Sequence, residues 1–266
     1  MPRGGTEPVQ CPAWQVRNPL VVRLSVNLNK VATLRNARGA SLPSVTEAAR
    51  VCLAHGAPGI TVHPRADERH ITRQDVLELA ALLAEFRETV EFNIEGDPRP
   101  DLVDLIHEVR PHQATLVPVL PDEVTSQGGW PDDAKGEALH GAIRSFREAG
   151  IRVSLFVEPD EASIRWAASA GADRVELFTE PFAAAFARSR EEGAAEYGRY
   201  VAAAELAHSL GLGINAGHDL DLANLEIFAS LPWLDEVSIG HALMSQALFD
   251  GLGPVVEAYL GRLQTA

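Results

Sequence analysis

Eight short β-rich runs alternate with longer helical runs along the whole chain, at spacings of roughly 20 to 40 residues. This alternation constrains the fold more than any other feature, because strands joined through helices pair in parallel. The expected strands are 21–29, 59–63, 90–95, 113–119, 152–158, 173–179, 211–216 and 236–240. Helices are expected at 44–56, 73–88, 100–109, 133–149, 160–170, 194–210, 222–230 and 242–263. Ser44 and Asp160 stand where N-caps belong, and Gly56 where a helix stops. Eight βα units favour closure into a (β/α)8 TIM barrel over an open doubly wound sheet, and no strand runs into a glycine-rich dinucleotide turn.

The chain's 266 residues suit one such barrel, expected over 20–266. Residues 1–19, rich in Pro and Gly, read as a flexible leader. Two long connections stand out. The stretch 121–133, with Thr125, Gly128 and Gly129, is a candidate mobile lid after the fourth strand. The stretch 182–195 is expected to form an extra helix that packs against another subunit.

Parallel strands covered on both faces usually read as unbroken apolar runs. These strands alternate instead. Leu24, Val26 and Leu28 share one face while Ser25, Asn27 and Asn29 share the other. Phe92 and Ile94 oppose Glu91, Asn93 and Glu95, and Ile60 and Val62 oppose Thr61 and His63. Val175 and Leu177 likewise oppose Arg174 and Glu176. The outer helices need the apolar set, so the polar set points into the barrel and rises to its C-terminal mouth, where barrel enzymes place their chemistry. The alternative is a set of structural polar groups satisfied by one another.

Composition narrows the function. Hydrophobic residues are 46% of the chain, enough for a large core, and the net charge of −14 argues against a general nucleic-acid coat. Phosphorylated metabolites stay open, since a few placed cations reverse the field in one cleft. Two cysteines give no disulfide framework, and no apolar run reaches the roughly 20 residues that span a membrane. The expected partners therefore include neither nucleic acid nor membrane, and the expected location is the cytoplasm.

Four segments carry a resemblance: VNLNKVATLRNARG (26–39), GITVHPRADERHIT (59–72), NAGHDL (215–220) and SIGHA (238–242). In order and in strand-end position they resemble the signature segments of the pyridoxine 5′-phosphate synthase family. The resemblance implies condensation of 1-deoxy-D-xylulose 5-phosphate with 3-amino-2-oxopropyl phosphate, releasing phosphate and water, with no metal and no cofactor. It implies His63 and Glu95 as acid/base residues, Glu176 as the carboxylate that stabilises charged intermediates, and His218 as a late proton donor. By the same resemblance Asn27, Arg38, Arg65, His70, Thr125, Gly217, Gly240 and His241 lie at or beside the substrates. It also implies a homo-oligomer, expected to be an octamer.

The chemistry agrees with those residue types. Amine addition, dehydration, phosphate elimination and ring closure are successive proton transfers, which call for groups titrating near neutrality. His63 is expected to titrate there unperturbed, and Glu95 to be raised toward it. An Arg clamps phosphate through parallel N–H bonds, and a Gly ahead of a helix exposes backbone donors, as expected after both Gly217 and Gly240. The chain departs from the family pattern at Asn29 and Lys30, where Asp-His is usual, and at Asp219, where Gly is usual, and all three are expected among the substrate-binding residues. Lys30 is expected in the loop after strand one, as a positive contact to phosphate. Rival readings are a metal-dependent barrel hydrolase, a sugar-phosphate isomerase, and a phosphate-ligand sensor without catalysis.

Overall fold

The computed structural model describes residues 22–119, 127–134 and 136–264. Eight strands close in chain order into one parallel barrel: β1 (Arg23–Asn27), β2 (Gly59–Val62), β3 (Glu91–Gly96), β4 (Gln113–Leu116), β5 (Arg152–Val157), β6 (Arg174–Leu177), β7 (Gly213–Ala216) and β8 (Leu234–Ile239). The helices around it are α1 (Asn29–Asn36), α2 (Val45–Ala54), α3 (Arg73–Leu83), α4 (Pro100–Val109), α5 (Glu137–Glu148) and α6 (Glu161–Ala170). They continue with α7 (Glu180–Arg188), α8 (Arg190–Ser209), α9 (Leu225–Phe228), α10 (His241–Asp250) and α11 (Leu252–Gln264).

The apolar core is the layer between strands and helices. Leu24, Val26, Ile60, Val62, Phe92 and Ile94 are buried there, with Leu79, Leu102, Phe146 and Tyr259 from the helices. On α5 the buried residues Leu139, Ala142, Ile143 and Phe146 recur at helical spacing and form one stripe. Truncating Phe146 to Ala would remove about 3–5 kcal/mol, the usual cost of emptying a buried aromatic site.

The polar strand faces meet inside the barrel. Ser25 Oγ lies 2.6 Å from Thr61 Oγ1, Asn93 Nδ2 donates to Thr61 Oγ1, and Thr115 Oγ1 donates to Asn93 Oδ1. Below them the floor is a charged network. Arg152 pairs with Glu91 and donates from Nε to Gln113 Oε1 at 2.8 Å. Arg174 donates to Asn215 Oδ1 at 3.0 Å, and Asn215 reaches across the barrel to Gln113 Oε1.

Local sequence signals explain most boundaries. Ser44 Oγ accepts from Glu47 N, and Asp160 Oδ1 from Ser163 N, as N-caps do. Thr72 and Asp75 form a capping box at the start of α3. Four expectations need correction. The first strand ends at Asn27, because Asn27 Oδ1 accepts from Asn29 N and turns the chain into α1. Asn29 and Lys30 therefore stand in the first turn of a helix, not at a strand end and in a loop. The last helix is two, broken at Gly251, whose φ of +86° no helix tolerates. The helix expected over 222–230 is the four residues of α9, so no long helix follows Gly217.

The extra helix expected near 182–195 is α7 together with the start of α8. Phe182 of α7 is fully buried among Tyr200 and Phe228 of its own chain.

Candidate active site

The mouth of the barrel gathers most of the expected residues. Asn27 ends β1, His63 follows β2, Glu95 lies near the end of β3, and Glu176 lies in β6. His218 follows β7, beyond Gly217. His63 Nδ1 lies 4.0 Å from Glu95 Oε2, and Asn27 Nδ2 donates to that same oxygen at 3.4 Å. Asn29 acts through its side chain: its Oδ1 accepts from the His63 backbone N at 2.8 Å, tying α1 to the loop that carries the histidine.

The mouth differs from the floor in what it leaves unpaired. His63 Nε2 and Glu176 Oε2 are buried with no hydrogen-bond partner. Both oxygens of Glu236, on β8 beneath Ser238, are buried and unpartnered too. Buried polar atoms without partners are uncommon in folded proteins and gather where chemistry is done.

Burial sets the protonation states. Glu95 is pushed up to about 8, first by burial and then by the negative charge of Glu236, with a hydrogen bond from Ser238 opposing the shift. Glu176 is raised well above the usual carboxylate range by burial, with Glu95 and Glu236 adding to it. His63 is pushed down to about 3 by burial, then by the positive surroundings of His70, Arg65 and Arg99. At neutral pH the mouth therefore holds protonated carboxyls beside a neutral imidazole. His63 thus departs from the expectation that it titrates unperturbed near neutrality, because desolvation and neighbouring cations both disfavour its charged form.

A cationic rim adjoins this pair. Arg65 is buried beside His63, and the His70 ring lies 6.1 Å from the His63 ring. His70 is pushed down to about 4 by burial, then by Arg65 and Lys30. Lys30 thus faces the same loop, although it is exposed. Arg38 is exposed just beyond α1 and is not gathered into this cluster by any contact among the described residues. Thr125 lies outside the described residues. Of the candidate lid, 127–133 is described and is anchored at two residues: Trp130 Nε1 donates to Leu116 O at 2.8 Å, and Gly129 N donates to Glu158 Oε1.

Two glycines mark close approaches. A Cβ on Gly217 would sit 2.0 Å from Ser238 O, so only glycine lets β7 reach the mouth against β8. Gly240 packs against Asn27 and opens directly into α10, giving His241 the first turn of that helix. His241 is exposed, as is Asp219.

Several contributors carry no motif in the sequence. Arg99 donates to Pro64 O at 2.6 Å and fixes the backbone after His63. Arg35 pairs with Asp75 and donates to His70 O, holding the 64–70 loop from α1. Phe156 and Phe178 stand beside the His218 ring, at centroid distances of 6.5 and 5.9 Å. Periodicity shows which of these positions face inward, but pairing across 35 residues or more is a product of the fold.

Together these features describe a (β/α)8 barrel whose mouth gathers buried titratable side chains beside a rim that carries Arg65 and Lys30. Among the described residues no three His, Cys, Asp or Glu side chains gather as metal ligands would. Residues 24–265 match the family described as pyridoxal phosphate biosynthesis protein PdxJ, and the chain belongs to that family. It is 53% identical over 246 residues to the pyridoxine 5′-phosphate synthase of Phocaeicola vulgatus, covering 92% of this chain and 100% of that one. The synthase of Leptospira biflexa is 50% identical over 250 residues, covering 90% and 96%. Phosphoribosylanthranilate isomerase from Thermotoga maritima shares the fold at a TM-score of 0.56 and 12% identity, over 92% of this chain and 100% of that one.

Proposed function

We propose that this barrel is a pyridoxine 5′-phosphate synthase, condensing 1-deoxy-D-xylulose 5-phosphate with 3-amino-2-oxopropyl phosphate and closing the pyridine ring by acid/base catalysis. The relatives at about half identity carry that name over nearly their whole length. The observation that carries the mechanism is that His63 Nδ1 faces Glu95 Oε2 at 4.0 Å in a buried mouth, where burial favours the neutral form of each. Such a pair can take a proton from one atom of the substrate and return one to another.

In this reading Arg65, His70 and Lys30 receive phosphate, with Arg38 further out. The arriving dianion offsets the cations that hold His63 neutral, and so raises the imidazole's affinity for a proton at the moment it serves as base. Glu95 supplies the proton that lets hydroxyl leave as water. Glu176 gives its proton to the imine nitrogen, and the carboxylate it becomes pairs with the iminium so formed, which replaces a buried neutral acid by a stabilising ion pair. His218 delivers a late proton at the opposite side of the mouth. Gly217, Gly240 and the N-terminal turn of α10 with His241 supply backbone donors to the second phosphate. Thr125 belongs to the same substrate shell.

Leu248 and Phe249 at the end of α10 are 71% and 89% exposed, which suits a surface covered by further copies in a homo-octamer. Among the described residues no helix is long and apolar enough to cross a membrane, and we place the protein in the cytoplasm.

The test is incubation with both substrates. The reading requires a pyridine chromophore and released inorganic phosphate, neither of which forms when one substrate is omitted. Turnover of the sugar phosphate alone would point to an isomerase instead.

A further inference from the structure

Asp219 is a residue with an awkward backbone. Its φ is +63°, a left-handed conformation that glycine adopts freely and that residues with a Cβ adopt at a cost. It sits beside His218, and its Oδ2 lies 2.9 Å from His218 Nδ1. That separation is within hydrogen-bond reach, the range in which a carboxylate orients an imidazole. Its carboxyl is held below the usual range by that contact first, and by the positive side of His218 and His241.

The rest of the histidine is held with equal care. Thr179 Oγ1, just ahead of α7, donates to His218 O. Phe156 and Phe178 stand beside the ring, and Asn224 Nδ2 donates to Asp219 O at 3.0 Å, fixing the backbone that aims the carboxylate. A strained backbone at an exposed position would be relieved by a single change to glycine. Its presence beside an imidazole points to a task for the side chain.

We propose that Asp219 is a positioning residue for His218: its carboxylate holds the imidazole proton on Nδ1 and leaves Nε2 as the atom that exchanges a proton with the substrate. A carboxylate behind a histidine fixes the tautomer and the ring orientation together, the arrangement found in hydrolytic triads and around metal-bound histidines. Asp219 is then not a contact to phosphate, which its negative charge would repel. This inference rests on the reading of His218 as a proton donor.

The experiment uses the full chain and three variants. Asp219→Gly suits the local φ, so it folds and gains stability from relief of the left-handed conformation. It is expected to lower kcat about tenfold or more while leaving both KM values within about twofold. Asp219→Asn keeps the size of the side chain without its charge and should also lower kcat. Nitrogen NMR of the His218 ring should show Nδ1–H in the native protein and a shift toward Nε2–H in Asp219→Gly. An unchanged kcat with an unchanged tautomer in Asp219→Gly would overturn the proposal, and so would a change confined to KM. His218→Gln separates the two levels. If it retains turnover, the reading of His218 itself falls. If it abolishes turnover while Asp219→Gly does not lower it, only the role of Asp219 falls.

Discussion

The floor and the mouth of this barrel are built from the same kinds of residue and do opposite things with them. On the floor, Arg152 pairs with Glu91, Arg174 meets Asn215, and Gln113 bridges two strands across the interior. At the mouth, His63 Nε2 and Glu176 Oε2 are buried without partners, and Glu95 keeps its proton to about pH 8. A polar network that satisfies itself holds a structure in one arrangement. Polar atoms left unsatisfied are unstable by design and are completed by a ligand. A polar barrel interior is therefore not by itself a sign of catalysis. The division lies in which atoms have partners, and Glu236, whose buried oxygens have none although it neighbours Arg23 and Arg152, stands between the two halves.

The largest expected effect tests the floor. Arg152→Leu strips Glu91 of its closest cation in a dry interior, and the loss should be about 3–5 kcal/mol of folding stability by chemical denaturation. A stable variant with reduced turnover would break the distinction, because it would move Arg152 to the chemical half. The counterpart at the mouth is Glu95→Gln. It should fold normally and lose about 10²-fold or more in turnover, the scale of general acid/base loss. Near-native turnover would remove Glu95 from the proton-transfer role. Smaller still is Arg65→Ala, expected to weaken one phosphorylated substrate by about 1.5–3 kcal/mol, measured by calorimetry with each substrate alone. Equal affinity for both in native and variant would make Arg65 part of the structural set.

The same comparison shows what a reader of the sequence can and cannot see. The alternation of Glu91, Asn93 and Glu95 with Phe92 and Ile94 makes the inward face legible, and with it the barrel. It does not separate Glu91 from Glu95, which lie four residues apart on one face. Their difference comes from Arg152 on β5 and Glu236 on β8, partners that only closure of the barrel brings near. The helix α1 was hidden for a related reason. Asn27 and Asn29 continue the strand's alternation in sequence, while the Asn27 side chain accepts from Asn29 N and ends the strand. Asn29 and Asp219 are departures from the family pattern, and each has a local contact that explains the residue present: one to the backbone of His63, the other to the ring of His218. His63 was misread in charge alone. Its place is evident in the sequence, but its burial, the first cause of its neutrality, and the nearby guanidiniums of Arg65 and Arg99 are products of the fold.

A gentler effect follows from the displaced titrations. Glu95 is raised in the folded chain, so its proton contributes stability that is whole below the ordinary value of 4.5 and is lost as pH rises through about 8. His63 is lowered, so its contribution is present above 6.5 and is lost as pH falls through about 3. Between 6.5 and 8 the carboxyl acts with little offset from the histidine, and native stability should decline. Glu95→Gln should flatten that decline in denaturation curves taken across the window. An unaltered slope would assign the decline to other groups.

The central claim is that the mouth stores protons on buried carboxyls at neutral pH while the floor does not. Infrared spectroscopy of the carbonyl stretch reads this directly, since a protonated carboxylic acid and a carboxylate absorb in separate regions. The native protein near neutrality should show a protonated-acid band that weakens in Glu95→Gln and weakens in Glu176→Gln, and the part lost in Glu95→Gln should be the part that fades as pH is raised past about 8. A spectrum at neutral pH with carboxylate absorption only, or an acid band untouched by both substitutions, would contradict the account.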